Sequence, residues 1–179
     1  MPPVDGMRGR EDLYALLEEV YTEFPPRAQK RALNRYWNLY RYFLRGVEPV
    51  IAEHPAPAQW LDIGAGGGVI PLVLAKLGYT VTALDTWELY AKERDNPMGC
   101  LEEFVERFSR FGIAWERAIL GSDRLPFPDE TFEFVSAFDV IEHLPSPSDL
   151  LVEAIQIENA QVGAGALPDV YGSPGRQAV

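Results

Sequence analysis

Gln59-Trp60-Leu61-Asp62-Ile63-Gly64-Ala65-Gly66-Gly67-Gly68 runs from a short apolar stretch, through an acid, into four glycines within five positions. The apolar part suits a buried strand, and the glycines suit a tight turn whose backbone another group can approach without meeting a side chain. A sharp turn alone needs one or two glycines. Four, with Asp62 two positions before the first, point to a ligand loop between a strand and a helix.

The flanking sequence supplies that context. Val69 to Leu77 predicts a helix ended by Gly78, and Tyr79 to Leu84 predicts a second strand. Asp85 closes this strand, where a carboxylate can accept hydrogen bonds from ribose hydroxyls. Further on, Leu101, Phe104, Val105 and Phe108 mark a helix stopped by Gly112. Ile113 to Leu120 and Phe132 to Phe138 predict third and fourth strands, and Asp149 to Ile157 another helix. Short strands alternating with helices indicate an α/β fold with a parallel sheet. A dinucleotide loop spaced G-x-G-x-x-G would need its third glycine at position 69, which is Val69; the spacing here is G-x-G-x-G. On spacing and context, both a dinucleotide and S-adenosylmethionine remain open.

Before this unit lie two helical patterns. Leu13, Leu16, Leu17 and Val20 define the first, which Pro25-Pro26 stops. The second is expected from about Arg27 to Arg45, with an aromatic stripe of Tyr36, Trp37, Tyr40 and Phe43 and a basic opposite side. We read it as a helix packed on the domain rather than a lid. The expected organisation is therefore an N-terminal helical segment over 1–55, an α/β domain over 56–157 and an irregular tail over 158–179.

Composition narrows the partners. At 179 residues and 47% hydrophobic content, the chain suits one domain with one sizeable core. It has no apolar run long enough to span a membrane and no signal-peptide pattern, so a cytoplasmic location is expected. Cys100 is the only cysteine, which excludes an internal disulfide and a cysteine-cluster metal site; no metal is assigned. A net charge of −11 opposes a phosphate backbone, so a small-molecule substrate is expected rather than nucleic acid.

At Asp62, Gly64, Gly66 and Gly68 the sequence resembles class I S-adenosylmethionine-dependent methyltransferases, whose motif is an acid followed by x-G-x-G-x-G. Leu125-Pro126-Phe127-Pro128-Asp129-Glu130-Thr131-Phe132, followed by Ser136-Ala137-Phe138-Asp139-Val140-Ile141-Glu142-His143-Leu144, resembles the fourth-strand region of the methyltransferase type 11 group, which contains quinone-biosynthesis C-methyltransferases. The likeness spans about residues 59 to 154. It implies a Rossmann-like class I methyltransferase sheet with N-terminal helices, S-adenosyl-L-methionine as cofactor, and methyl transfer to a small-molecule acceptor. An NAD(P)-binding oxidoreductase, or a truncated cofactor-binding domain without catalysis, is the alternative. The cofactor residues it implies are Asp62, Gly64, Ala65, Gly66, Gly68, Asp85, Thr86, Asp123, Arg124, Leu125 and Phe138. The group usually has an aspartate four positions before its Leu-Pro-Phe run; Gly121 stands there, and Asp123 is the substitute.

Such a cofactor carries an activated methyl group, so the protein must chiefly align the acceptor and exclude water. A hydroxyl acceptor also benefits from a base. His143, with Asp139 or Glu142, is the candidate beyond the fourth strand, against the plainer reading of a turn before Pro145. From Glu158 onward no period of 2 or 3.6 is legible, so coil is expected. The family's later strands are then missing, which implies an unpaired outer edge on the fourth strand, a route to self-association and weak transfer by this chain alone.

Overall fold

A computed structural model describes residues 10–26, 28–29, 37–88, 100–121 and 124–158. In chain order the elements are α1 (Arg10–Tyr21), α2 (Trp37–Glu53), β1 (Gln59–Ile63), α3 (Val69–Lys76), β2 (Thr80–Asp85), α4 (Leu101–Arg110), β3 (Ala114–Arg117), β4 (Phe134–Ala137), a short 3-10 turn (Ile141–His143) and α5 (Pro147–Ile157). The four strands form one parallel sheet in the order β3-β2-β1-β4. Strand order therefore reverses at β1, the position where open α/β sheets bind ligands beyond their carboxyl ends. Among the described residues, no helix is long and apolar enough to cross a membrane.

Successive strand side chains face opposite ways, so the sheet feeds two cores. On one face Trp60, Val81, Ala83 and Phe134 pack with side chains from α1, α2, α3 and α4. On the other, Leu61, Ile63 and Leu84, all with 0% exposure, pack with Val140 and with Leu150 and Ile157 of α5. Each side chain so buried contributes roughly 1.5–3 kcal/mol relative to exposure. The N-terminal helices thus share a core with the sheet. α1 is fastened to α3 by polar contacts as well: buried Lys76 places its Nζ 2.7 Å from Glu19 Oε1 and 3.9 Å from Glu23 Oε1.

Several boundaries differ from the sequence reading. The second helix does not end near Arg45; it runs through Pro49 to Glu53, because Val47, Val50 and Ile51 continue the apolar side against the core. The expected start of that helix lies mostly outside the described residues. β3 is four residues long rather than eight, and all four are exposed, as a strand paired among the described residues only with β2 allows. β4 is also shorter than expected, yet its outer edge is not wholly unpaired. Phe132 and Glu158 form a parallel bridge, and the Glu130 and Phe132 N–H groups donate to the Gln156 and Ile157 carbonyls at 3.0 and 3.1 Å. Glu158 is therefore part of the sheet edge and not coil.

Candidate functional site

The glycine loop leaves β1 at the carboxyl edge of the sheet. Gly64, Gly66 and Gly68 have φ of 71°, 51° and 79°, the left-handed region that penalises side chains. Two of them also sit against the chain's own side chains. A Cβ on Gly64 would overlap Val140, which follows β4; a Cβ on Gly68 would stand 2.6 Å from Phe108 Cε1 of α4. The loop is anchored besides by Gly64 N–H and Ala65 N–H, which donate to Leu84 O of β2 at 2.7 and 3.1 Å.

Asp85 reaches this loop from the end of β2. Its Oδ2 accepts from Gly66 N–H at 2.8 Å, and its Oδ1 accepts from Trp87 N–H at 3.1 Å. Thr86 Oγ1 lies 3.4 Å from the same Oδ1. The carboxylate is half-buried, so it is held by backbone donors while keeping lone pairs open to a ligand. Trp87, with φ 56°, turns the chain away and anchors its indole N–H on Glu116 O at 2.8 Å.

Asp62 is buried at 3% exposure beneath the loop. Its partner is Ser136, its register neighbour on β4, whose Oγ donates to Asp62 Oδ1 at 2.6 Å. Trp60 Nε1 in turn donates to Ser136 Oγ at 2.9 Å. Burial, opposed by the Ser136 bond and reinforced by the nearby Asp85 charge, pushes the Asp62 carboxyl up to about 7. This network was absent from the sequence reading, since only strand pairing puts position 136 beside position 62.

The remaining expected residues divide. Ala65 and Leu125 are buried, and Leu125 N–H donates to Glu153 Oε2 of α5 at 2.8 Å. Phe138 is partly buried just beyond β4, edge-on to Phe43 of α2 with ring centroids 5.0 Å apart. Arg124 is exposed, and Asp123 lies outside the described residues. His143 is exposed and ends the 3-10 turn, where Asp139, Glu142 and His143 bring one ligand atom each within 4.8 Å of the others. Partial burial and a hydrogen bond shared with Glu142 push the Asp139 carboxyl up, while the His143 charge acts the other way. The three side chains can hold and relay a proton, and their spacing also suits a divalent cation.

Residues 30–159 match the family described as Methyltransferase domain. The chain belongs to this methyltransferase family. The parallel sheet, its β1 crossing point and the acid-tipped glycine loop are those of the class I fold. The oxidoreductase alternative is not favoured by this match. Curated relatives include the ubiquinone biosynthesis O-methyltransferases of Xanthomonas axonopodis pv. citri, 31% identical over 131 residues covering 66% of this chain and 49% of that protein, and of Rickettsia akari, 26% identical over 122 residues covering 64% and 41%. This methyltransferase chain thus spans less than half the length of either. Among solved structures, phosphoethanolamine N-methyltransferase 1 of Haemonchus contortus, in complex with phosphoethanolamine and S-adenosylhomocysteine, superposes with a TM-score of 0.52 at 18% identity, covering 84% of this chain and 30% of that one. The YcgJ protein of Bacillus subtilis gives 0.50 at 18% identity, covering 64% and 46%. Both share the fold.

S-adenosylmethionine is the cofactor of class I methyltransferases, and the donor set here fits it. A half-buried carboxylate at the end of β2 suits ribose hydroxyls, and a glycine loop with the Asp62 carboxyl beneath it suits the charged methionine portion.

Proposed function

We propose that this domain binds S-adenosylmethionine across the carboxyl ends of β1, β2 and β4 and serves methyl transfer to the hydroxyl of a small acceptor. The observation that carries the reading is the Asp85 carboxylate bound to Gly66 N–H at 2.8 Å, which joins the ribose-type acid to the glycine loop in one cleft. The bound cofactor supplies the methyl group on a sulfonium. The chain's own residues do the rest. Asp85 orients the ribose, Gly64 to Gly68 admit the methionine portion, and Leu125 and Phe138 offer apolar surface near the β4 end. His143, beside Asp139 and Glu142, takes the acceptor's proton as the oxygen is methylated. A hydroxyl acceptor is supported by the relatives' name and by a base-bearing turn that follows β4. The net charge of −11 favours a small acceptor over nucleic acid.

The test is a thermal-shift and calorimetric panel with S-adenosylmethionine, S-adenosylhomocysteine, NAD and NADP. Stabilisation by the first two and not by the nucleotides is expected, because a ligand that binds only the native state raises its stability. Stabilisation by NAD alone would sink the proposal. Transfer of labelled methyl to catechol-type and phenolic acceptors, with its loss in His143→Ala, tests the acceptor class.

A further inference from the structure

We propose that the Trp60–Ser136–Asp62 chain couples occupation of the glycine loop to release of one proton, from Asp62 to solvent, with Ser136 as the positioning residue that serves both forms of the acid. The inference rests on the cofactor reading above. Its basis is hydrogen-bond arithmetic. The Trp60 indole can only donate, so its 2.9 Å bond fixes Ser136 Oγ as an acceptor on that side. Ser136 then has one proton to place. Asp62 Oδ1 lies 2.6 Å away and Leu61 O 3.4 Å away. With Asp62 ionised, the proton points to Oδ1. With Asp62 neutral, the acid can donate to the second lone pair of Ser136 while the serine proton turns to Leu61 O. Neither form strands a buried polar atom.

The surroundings favour the neutral form in the free protein. Asp62 is 3% exposed, in a strand flanked on both sides, and a carboxylate there has lost most of its hydration. Asp85 at the end of β2 adds a like charge. The described cations on that face are engaged elsewhere: Lys76 of α3 with Glu19 at 2.7 Å, and Arg45 and Arg41 of α2 with Tyr14 of α1. Buried Arg107 of α4 is held by Glu23 O at 3.1 Å and the Phe24 ring, Arg110 by Glu23 at 3.2 Å, and His54 stacks near Phe134. The charge that acts on Asp62 is Asp85. A ligand that brings a sulfonium and an ammonium to the loop reverses the balance. Opposite charge nearby stabilises the carboxylate, the proton leaves to solvent, and Ser136 turns back to Oδ1. Affinity must then rise with pH until the free acid is itself ionised, near pH 7, and fall by up to tenfold per unit below that.

Calorimetric titration of S-adenosylmethionine into the full chain at pH 6, 7 and 8, in paired buffers of different ionisation enthalpy, reads the proton directly. We expect release to be largest at pH 6, where it approaches one proton, to fall to about half of that near pH 7, and to be small at pH 8. Asp62→Asn should bind with that release removed. Ser136→Ala, which takes a donor from the ionised form, should move the midpoint of the pH profile upward, an effect that simple loosening of the strand would not produce. Heats independent of buffer in the wild-type chain, or release that persists in Asp62→Asn, would overturn the coupling while leaving the cofactor reading intact. Absence of any binding heat would overturn both.

Discussion

Gly68→Ala offers the sharpest test of how the loop is built. Gly68 caps α3 with φ 79°, and a Cβ there would sit 2.6 Å from Phe108 Cε1 and 2.8 Å from Cζ. Two costs follow. The left-handed backbone penalises a Cβ by about 1–2 kcal/mol. Forcing the ring aside in a close-packed core costs a further 1–3 kcal/mol or so, because Phe108 is 1% exposed and has little room to retreat. The total, about 2–5 kcal/mol, is a large part of the roughly 5–15 kcal/mol that stabilises an ordinary domain. Urea unfolding followed by circular dichroism would measure it, with Phe108→Leu and the double variant completing a cycle. The shorter leucine should relieve the steric part but not the backbone part. The cycle should therefore show a favourable coupling of about 1–3 kcal/mol. Strict additivity, or a Gly68→Ala variant within about 0.5 kcal/mol of wild type, would refute the claim that Phe108 makes glycine obligatory at this cap.

Asp62→Asn should raise the stability of the ligand-free chain at pH 8. A carboxyl raised from 3.8 to about 7 by folding contributes stability that is complete below the lower value and lost as pH rises through the upper one, at most about 4 kcal/mol in all. The advantage of the asparagine variant in pH-dependent melting should vanish toward pH 4; a constant difference would argue against a buried titrating acid. Asp85→Ala should weaken S-adenosylmethionine by about 1.5–3 kcal/mol in calorimetry, the size of a hydrogen bond to a charged group, and a loss of a few tenths would place the ribose elsewhere. Lys76→Met should be nearly neutral, since Glu19 is 59% exposed and regains water, whereas Glu19→Ala leaves the cation buried and should cost about 1–3 kcal/mol in denaturant unfolding. The reverse order would show that α1 is not fastened through Lys76.

Much of the architecture was legible in the chain. β1 occupies Gln59–Ile63 as expected, because its apolar run is bounded by a proline-rich link and the glycines. β2 is offset by one residue, since Asp85 belongs to the ladder through its pairing with Arg117 as well as to the site. β3 was overestimated: Ile113 and Ala118 are buried beyond its ends, and an apolar residue signals burial, not pairing. α2 runs past its expected end near Arg45 because Val47, Val50 and Ile51 stay packed on the core and Pro49 sits on an exposed side of the helix. At the candidate site, spacing along one βαβ unit was enough to single out Asp62, the glycines and Asp85, of which the structure brings Asp85 onto Gly66. Ser136, Val140 and Phe108 were not, because each meets the loop across tens of residues and only the register of parallel strands and the docking of α4 bring them there.

Val140 and Phe108 fill the space behind Gly64 and Gly68, and Asp85 ties down Gly66, so the loop has its shape set by neighbours that no ligand supplies. The kinetic consequence is that binding needs no folding of the loop beforehand. Association should follow a single exponential whose rate grows in proportion to ligand concentration without reaching a plateau, as expected of encounter with a site that is already formed rather than one visited only in a minor conformer.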